Sequence, residues 1–289
     1  MSRNQFGTVA IVGVGLIGGS IGLALKDAGV VTEVIGVGRS ASNLEEAKKL
    51  GVIDRIDDLE GACKQAQWIV LCVPVAQMRA CFQTIEPHLN PHTLITDAGS
   101  TKSDLIVAAK EILGKKVCQF VPAHPIAGGA QHGVVAAKAN LFQGKQTIIC
   151  QLQENSAADV ALVESFWQAL GSRIKRISAI QHDAIYAAVS HLPHLLSYAL
   201  MTSVLNSEDA EQKLGHAGAG FRDFTRIAAS SPEMWRDICL ANKSAILQEL
   251  DQYLVIAKAL RELIAKEDSQ ALEKVFLKAS EARKGWEES

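Results

Sequence analysis

The sequence predicts an α/β fold in which a doubly wound, mostly parallel sheet is followed by an all-α C-terminal region. Two observations support this fold class. Short apolar runs rich in β-branched residues alternate with helical segments in the first part of the chain, which is typical of a parallel sheet covered by helices. Beyond about Ile180 helical spacing continues with almost no strand signal. Because 289 residues exceed the usual size of one compact domain, we expect two domains, over residues 1–178 and 179–289.

The elements of the first domain are bounded by Gly and Pro, which mark their ends. The predicted strands are Thr8–Val12, Glu33–Val37, Trp68–Val73 and Thr93–Thr96. The predicted helices lie from Ile21 towards Gly29, from Ala41 to Leu50 and beyond Lys102. Two further runs, Gln146–Leu152 and Arg173–Ile177, are each expected to add a strand to one edge of the sheet.

The second domain is predicted to be helical throughout. Helical spacing covers Asp183–Leu205, Ala210–Gly215, Pro232–Leu254 and Ile256–Trp286. An apolar stripe at steps of three and four residues comprises Leu250, Leu254, Ala257, Leu260 and Ile264. Such a stripe faces either the core of the same chain or a second subunit.

A glycine-rich turn between the first strand and the first helix is the most informative motif. Gly13 permits a tight turn, Gly15 lets the backbone approach a pyrophosphate, and Gly18 lets the helix pack closely on the strand. A purely structural turn is the alternative, but the strand–turn–helix context favours a Rossmann-like dinucleotide site. The cofactor-binding residues predicted there and at neighbouring strand ends are Gly13, Gly15, Leu16, Ile17, Gly18, Gly38, Arg39, Ser40, Val73, Pro74 and Ser100.

The end of the second strand predicts which cofactor is preferred. An NAD site has an acidic residue about 20 positions after the glycines, whereas this chain has Gly38, followed by Arg39 and Ser40. Arginine and a hydroxyl can bind the 2′-phosphate that a carboxylate would repel. We therefore expect NADP to be preferred, with NAD use possible. The alternative is that Arg39 stacks on the adenine and accepts either cofactor.

Composition excludes several other classes of function. The net charge of −2 gives no reason to expect nucleic acid or anionic membranes as partners. No run approaches the ~18 apolar residues of a membrane span, and the N-terminus leads directly into the first strand, so no signal peptide is expected. The six cysteines show no metal-ligand spacing and are expected to be free thiols. Together these features predict a cytoplasmic protein without a bound metal.

Histidines and arginines near the predicted sheet edge and in the helical half are candidates for chemistry. His124 lies between two prolines in a constrained loop, which suits a general base. Ser100 follows the fourth strand, where it can contact a substrate or act as a helix N-cap. The helical half contributes His191 and His194. It also contributes Arg222 and Arg226. These two arginines share one face if their segment is helical, and their guanidinium groups can bind carboxylates.

These segments stand in the order seen in prephenate/arogenate dehydrogenases, which the chain resembles over nearly its whole length. The matching segments are the glycine turn, Asp97–Lys102, Ala123–Gly128, Ser190–His194, Gly220–Ala228 and Trp235 within 232–237. The resemblance implies oxidative decarboxylation of prephenate, arogenate or both in tyrosine biosynthesis, by a monofunctional enzyme. It also implies a homodimer formed through the C-terminal helices, which would place the apolar stripe at a subunit interface.

The resemblance also implies roles for individual residues. His124 matches the histidine that polarises the ring hydroxyl, Ser100 matches a serine near that hydroxyl and the nicotinamide, and Arg226 matches the arginine that binds a substrate carboxylate. His194 matches a residue near the substrate side chain, with His191 as the alternative. Arg222 replaces a lysine of many relatives, and Ala130 stands where some carry a glutamate at the pocket entrance.

Two other classes of function are alternatives. Dehydrogenases of the β-hydroxyacid or imine-reducing type pair a similar cofactor domain with helices, but they usually have a lysine on the catalytic helix, and Ala187–His191 contains none. A non-catalytic NAD(P) redox sensor would need neither a base such as His124 nor a carboxylate-binding Arg226.

Overall fold

The computed structural model describes residues 4–129 and 131–287; Ala130, where some relatives carry a glutamate, lies outside these residues. The strands are β1 (Thr8–Val12), β2 (Glu33–Val37), β3 (Arg55–Ile56), β4 (Trp68–Leu71), β5 (Leu94–Asp97), β6 (Ala123–Pro125), β7 (Gln146–Ile149) and β8 (Arg173–Arg176). The helices of the α/β part are α1 (Leu16–Asp27), α2 (Ala41–Lys49), α3 (Leu59–Gln65), α4 (Val75–Ile85), α5 (Ser103–Leu113) and α6 (Ala157–Ala169). Those that follow are α7 (Ala179–Tyr186), α8 (Leu192–Leu205), α9 (Ala210–Gly215), α10 (Ala219–Thr225), α11 (Pro232–Ala241), α12 (Lys243–Ala265) and α13 (Ser269–Glu287).

The main sheet has five parallel strands in the order β3-β2-β1-β4-β5. Its strands are apolar on both faces: on β1, Val9 and Ile11 belong to one buried cluster, and Ala10 and Val12 to another. A strand buried on both sides is what a parallel sheet between helical layers requires. The predicted fold class, a Rossmann-like sheet followed by helices, is therefore confirmed.

The prediction for Gln146–Leu152 and Arg173–Ile177 was wrong in one respect. These runs do form strands, but they belong to a second, three-stranded sheet in the order β6-β7-β8. The short strand β6, which contains His124, runs antiparallel to β7, and β7 runs parallel to β8. The chain reverses direction between Pro125 and Gln146, so β7 pairs with β6, with His124 opposite Ile148, instead of extending the main sheet. This sheet thus fixes the backbone of the predicted base.

The helical half differs from the prediction at its breaks. Instead of ending near Leu254, the helix that begins at Pro232 stops at Ala241, and α12 begins at Lys243. The next break falls at Glu267, whose φ of 53° is incompatible with a continuing helix. The segment Asp183–Leu205 also contains a π-helical turn at Ala187–His191 between α7 and α8, a feature often found at functional sites.

The chain divides into two compact units, Met1–Asn242 and Lys243–Ser289. The first contains both sheets and the helices through α11, and the second contains α12 and α13, which pack on each other. The domain boundary expected near residue 178 falls within the first unit and stays a prediction. Among the described residues, no helix has the length and apolar character needed to cross a bilayer.

Candidate active site

The glycine turn has the geometry that dinucleotide binding requires. Gly13 has a φ of +96°, and a Cβ there would lie 2.7 Å from the Cys72 carbonyl oxygen. A Cβ on Gly18 would lie 2.1 Å from the Gly13 carbonyl oxygen, so helix α1 can approach the strand only with glycine at this position. Gly15, in contrast, has open space where a Cβ would stand. Free N–H groups at the start of α1 are suited to binding phosphate.

A cleft of about 1040 Å³ opens above this turn. Of the predicted cofactor residues, seven line it: Gly13, Gly15, Gly38, Arg39, Ser40, Val73 and Pro74. Leu16, Ile17 and Gly18 belong to α1 and lie outside its described walls. The exposed Arg39 is a wall residue next to Ser40, and the Ser40 hydroxyl caps α2 by accepting a hydrogen bond from the Asn43 N–H at 3.3 Å. The cleft is therefore large enough for a dinucleotide, and its walls carry one basic side chain, Arg39, and one acidic side chain, Asp58.

A buried ion pair organises the end of β5. The Lys102 Nζ lies 2.5 Å from Asp97 Oδ2, and both side chains are fully buried. The Asp97 carboxylate also accepts hydrogen bonds from the Gly99 N–H at 2.8 Å and the Ala123 N–H at 2.9 Å. One carboxylate thus connects the strand end, the segment containing Ser100 and the strand containing His124.

His124 is half-buried and hydrogen-bonded to a second histidine. Its Nδ1 lies 2.8 Å from His182 Nε2, and His182 Nδ1 lies 2.8 Å from Asp183 Oδ1. Burial, followed by the positive charge of Lys102, holds the pKa of His124 well below its usual value. Burial also lowers the pKa of His182, although Asp183 opposes this effect. His124 is therefore neutral near pH 7 and able to accept a proton.

The Asp183 carboxylate is held by the backbone. It accepts hydrogen bonds from the Lys102 N–H at 2.9 Å and the Ser103 N–H at 2.8 Å, and so caps the start of α5. Burial works to raise the pKa of Asp183, but the hydrogen bonds from His182 and Ser103 outweigh it and lower that pKa. Helix α5 begins at Ser103 with Lys102 at its N-cap, so Ser100 is not its cap. Ser100 lies in the bend between β5 and α5.

A second cleft of about 280 Å³ brings His194 and Arg226 together. Its walls are Gly128, Gly129, His132, His194, Arg226, Ile227, Ala229 and Ser230. The His194 ring stacks on Trp235 with ring centroids 3.6 Å apart, and its Nδ1 donates to the Ser190 carbonyl at 2.9 Å. Burial and the nearby Arg226 charge lower the pKa of His194. This cleft therefore pairs a permanent cation with a neutral histidine.

The other two predicted residues lie elsewhere. His191 is only 1% exposed, its Nδ1 lies 3.1 Å from the Asn242 side-chain nitrogen, and burial lowers its pKa to about 4. Arg222 is exposed on α10, whereas Arg226 begins the 3-10 turn that follows. The single helical face expected for the two arginines is thus interrupted, and Arg222 lies outside the described walls of the second cleft.

Two family models match this chain, one in each half. The family model described as prephenate dehydrogenase, nucleotide-binding domain, matches residues 21–176. The model described as prephenate dehydrogenase, dimerization domain, matches residues 178–278. The chain belongs to the prephenate dehydrogenase family.

Individual members of the prephenate dehydrogenase family agree. A cyclohexadienyl dehydrogenase from Zymomonas mobilis is 34% identical over 281 residues, covering 96% of this chain and 95% of the relative. A prephenate dehydrogenase from Bacillus subtilis is also 34% identical, covering 96% of this chain and 76% of the relative. The crystal structure of prephenate dehydrogenase from A. aeolicus with hydroxyphenyl propionate and NAD+ has a TM-score of 0.91 at 31% identity, with 99% of each chain covered.

Sequence reasoning missed several residues of this prephenate dehydrogenase family site. His182, 58 residues further along the chain, contacts the predicted base directly, and Asp183 contacts His182. Asn242 donates to the Asp183 carbonyl at 2.8 Å. The available signal was weak: two adjacent polar residues in a helix whose inner face is buried. His132 was not singled out because it stands in a loop without any motif.

Within the described residues, no cluster of three or more His, Cys, Asp or Glu could hold a metal.

Proposed function

We propose that this chain oxidatively decarboxylates prephenate, arogenate or both, using NAD(P)+ as the oxidant, to give 4-hydroxyphenylpyruvate or tyrosine. The observation that carries the proposal is the neutral His124, whose Nδ1 is hydrogen-bonded and whose Nε2 is left to accept a proton. Membership of the family supports the reaction class. The glycine turn supports cofactor binding, because the space beside Gly15 is open and a ligand can occupy it.

The residues of the chain bind, orient and deprotonate the substrate in this proposal. The His124 Nε2 takes the proton of the ring hydroxyl, and Ser100 contacts that hydroxyl from the end of β5. When bound, the nicotinamide supplies the acceptor for the hydride that leaves the ring carbon. Loss of CO2 leaves an aromatic ring, so the reaction is strongly downhill and the protein mainly has to position and polarise the substrate.

The second cleft is the proposed site for the substrate's carboxylate and side chain. Arg226 can bind a carboxylate through charge-assisted hydrogen bonds, and His194 stands beside it. We assign the side-chain contact to His194 and not to the buried His191. Arg222 is exposed and is proposed to contribute only positive charge near the entrance.

Prephenate is proposed to be the preferred substrate, with arogenate accepted. Arogenate carries an ammonium group where prephenate has a keto group. The described walls of the second cleft contain Arg226, His132 and His194 but no carboxylate. An ammonium bound there would lack a counter-charge, and a buried charge without a partner is costly.

We also propose NADP as the preferred cofactor, with NAD use possible. Arg39 lines the cleft and is exposed, next to Gly38, where an NAD site would have an acidic side chain. Replacing Gly38 with Asp and Arg39 with Ala is expected to reverse the ratio of kcat/KM values for the two cofactors. A wild-type enzyme that strongly prefers NAD would show that Arg39 binds no phosphate.

A homodimer formed through the C-terminal helices is proposed as the active assembly. The family's dimerization model covers this region. Of the predicted apolar stripe, Leu254 and Ile264 are exposed in the single chain, and α13 adds Phe276 and Leu277. Exposed apolar side chains concentrated on two helices are typical of an interface. A helical domain over 179–289 and a cytoplasmic location remain predictions from the sequence.

One assay tests the proposed activity. The purified chain is incubated with prephenate or arogenate and with either oxidised cofactor, and reduced nicotinamide is followed by absorbance. His124→Asn is the matched variant, because an amide cannot act as the base. We expect turnover by the wild type and a loss of about 10²–10⁴-fold in kcat for the variant, with unchanged cofactor affinity. No reduced nicotinamide in any combination would refute the proposed function.

A further inference from the structure

We infer that His182 and Asp183 form a relay that fixes the protonation pattern of His124 and stabilises its charged form during turnover. This inference rests on the proposed function, in which His124 accepts the substrate proton. None of His124, His182 and Asp183 is among the described wall residues of the two clefts. His182 bonds to His124, and Asp183 bonds to His182, so His182 and Asp183 are positioning residues that act through His124.

The direction of each hydrogen bond follows from the Asp183 carboxylate. Three donors reach it: the Lys102 and Ser103 N–H groups and the His182 ring. An ionised carboxylate only accepts hydrogen bonds, so the proton between Asp183 and His182 belongs to His182 Nδ1. The neutral His182 then has a lone pair at Nε2, and His124 must donate its Nδ1–H to it. That leaves a lone pair at His124 Nε2, where a base needs it.

The relay also helps His124 to carry a proton. When the substrate O–H bond breaks and an N–H bond forms at His124 Nε2, the ring becomes positive. Its Nδ1–H then donates a charge-assisted hydrogen bond to His182, and the negative Asp183 lies one ring further on. This compensates in part for burial and for Lys102, which otherwise oppose a positive charge at His124. The proton later leaves to solvent, and the same hydrogen bonds restore the neutral pattern.

The surrounding groups hold this relay in place. The rings of His124 and His182 both pack on Tyr186, with centroid separations of 5.1 and 4.6 Å. The titratable and charged groups that act on the pair from neighbouring residues are Lys102, Asp97, Asp183 and His191. Lys102 is already paired with Asp97, so Asp183 is the negative charge available to the two rings.

Two substitutions at His182 separate the relay from simple packing. In His182→Phe the ring remains but the acceptor for His124 Nδ1–H is lost. In His182→Gln the amide oxygen can stand where Nε2 stood and accept that hydrogen bond. The control is Tyr186→Phe, which keeps the ring that packs against both histidines. Each protein is assayed for kcat and KM across pH 5–8, and its thermal midpoint is measured.

The relay predicts a graded result. His182→Phe should lower kcat about 100-fold, with little change in KM, and should move the acidic limb of kcat to lower pH because the His124 cation has lost its acceptor. The kcat of His182→Gln should be higher than that of His182→Phe by about tenfold or more. Tyr186→Phe should retain the wild-type profile. In a His124→Asn background, His182→Phe should cause no further loss, since both act through one base.

Two outcomes would overturn the inference: a His182→Phe enzyme with wild-type kcat and pH profile, or equal losses for Phe and Gln at unchanged thermal midpoints. If His182→Phe does not fold, His182→Asn replaces it, because its shorter amide cannot reach the Nε2 position. Wild-type turnover of prephenate or arogenate tests the proposed function separately, so a failed relay and a failed function give different results.

Discussion

Alanine at two positions of the glycine turn should separate cofactor binding from stability. At Gly18 a Cβ would lie 2.1 Å from the Gly13 carbonyl oxygen and 2.9 Å from Ile11 Cγ2. Both neighbours belong to the buried core or to the backbone, so helix α1 itself must move by about 1 Å to restore van der Waals contact. At Gly15 nothing lies within 4 Å of the new Cβ, so the apo protein can accept alanine without moving.

The magnitudes follow from these distances. Overpacking costs about 1–3 kcal/mol, and the backbone contact at Gly18 places it at the upper end. The higher helix propensity of alanine offsets about 1 kcal/mol of this cost. Gly18→Ala should therefore lower the free energy of unfolding by about 2 kcal/mol, or the thermal midpoint by about 4–8 °C. Gly15 is the N-cap of α1, where alanine should cost only about 0.5 kcal/mol. Loss of one charge-assisted hydrogen bond to phosphate, about 1.5–3 kcal/mol, should weaken cofactor binding by about 10- to 150-fold in both variants.

Thermal unfolding of the apo proteins and fluorescence titration with NADP and NAD check these values. Each variant is the control for the other, because only Gly18→Ala should lower the thermal midpoint substantially. Wild-type cofactor affinity in Gly15→Ala would refute the reasoning, since the phosphates would then not approach this turn. An unchanged midpoint in Gly18→Ala would show that α1 can shift without cost.

Four further predictions concern the site and the assembly. The proposed base is the neutral form of His124, and its pKa is lowered, so kcat/KM should stay constant as pH falls to 6.5 and decline only at lower pH. Arg226→Ala should raise KM for the substrate by about 10-fold or more, the value of a charge-assisted hydrogen bond, and Arg222→Ala should raise it far less. Lys102→Met should lower the free energy of unfolding by about 3–5 kcal/mol, since it leaves a buried carboxylate without its counter-ion; urea titration measures this. Ile264→Asp, on the exposed stripe, should convert the proposed dimer to a monomer in analytical ultracentrifugation.

Each of these has an outcome that contradicts it. An acidic limb centred at or above pH 6.5 would mean that His124 is not the titrating base. Equal KM changes for the two arginine variants would move the carboxylate site away from Arg226. A loss below about 1 kcal/mol in Lys102→Met would show that the ion pair contributes little to stability. A dimer that persists in Ile264→Asp would place the interface elsewhere, and Gln252→Asp on the same helix is the charge control.

Local signals accounted for most of the fold. The glycine turn could be predicted because strand, turn and helix follow one another without interruption, so each residue's role depends only on near neighbours. In contrast, β3 has two residues and forms only through pairing with β2, which leaves no periodicity to detect. The second sheet was misplaced for a related reason: β7 has a strand-like sequence, but its partner β6 is only three residues long and lies across a chain reversal.

The site was predictable to the extent that single motifs define it. His124 stands between two prolines in a distinctive sequence that folds as the short strand β6, and Arg226 and His194 line one cleft. The relay was not predictable, because His182 and Asp183 look like ordinary helix residues until tertiary packing places them against His124. The π-helical turn at Ala187–His191 was also hidden, since an extra residue in a helical turn does not interrupt its apolar pattern.

The hydrogen bonds of Asp97 have a consequence for motion. They fasten the bend that contains Ser100 and the strand that contains His124 to the same end of β5. We therefore expect these segments to move together, because a hinge between them would break the buried hydrogen bond from the Ala123 N–H to Asp97. We expect opening and closing around a substrate to come instead from the wall of the second cleft that contains the exposed Gly128, Gly129 and His132. Hydrogen exchange should accordingly be fast in that wall and slow around Asp97.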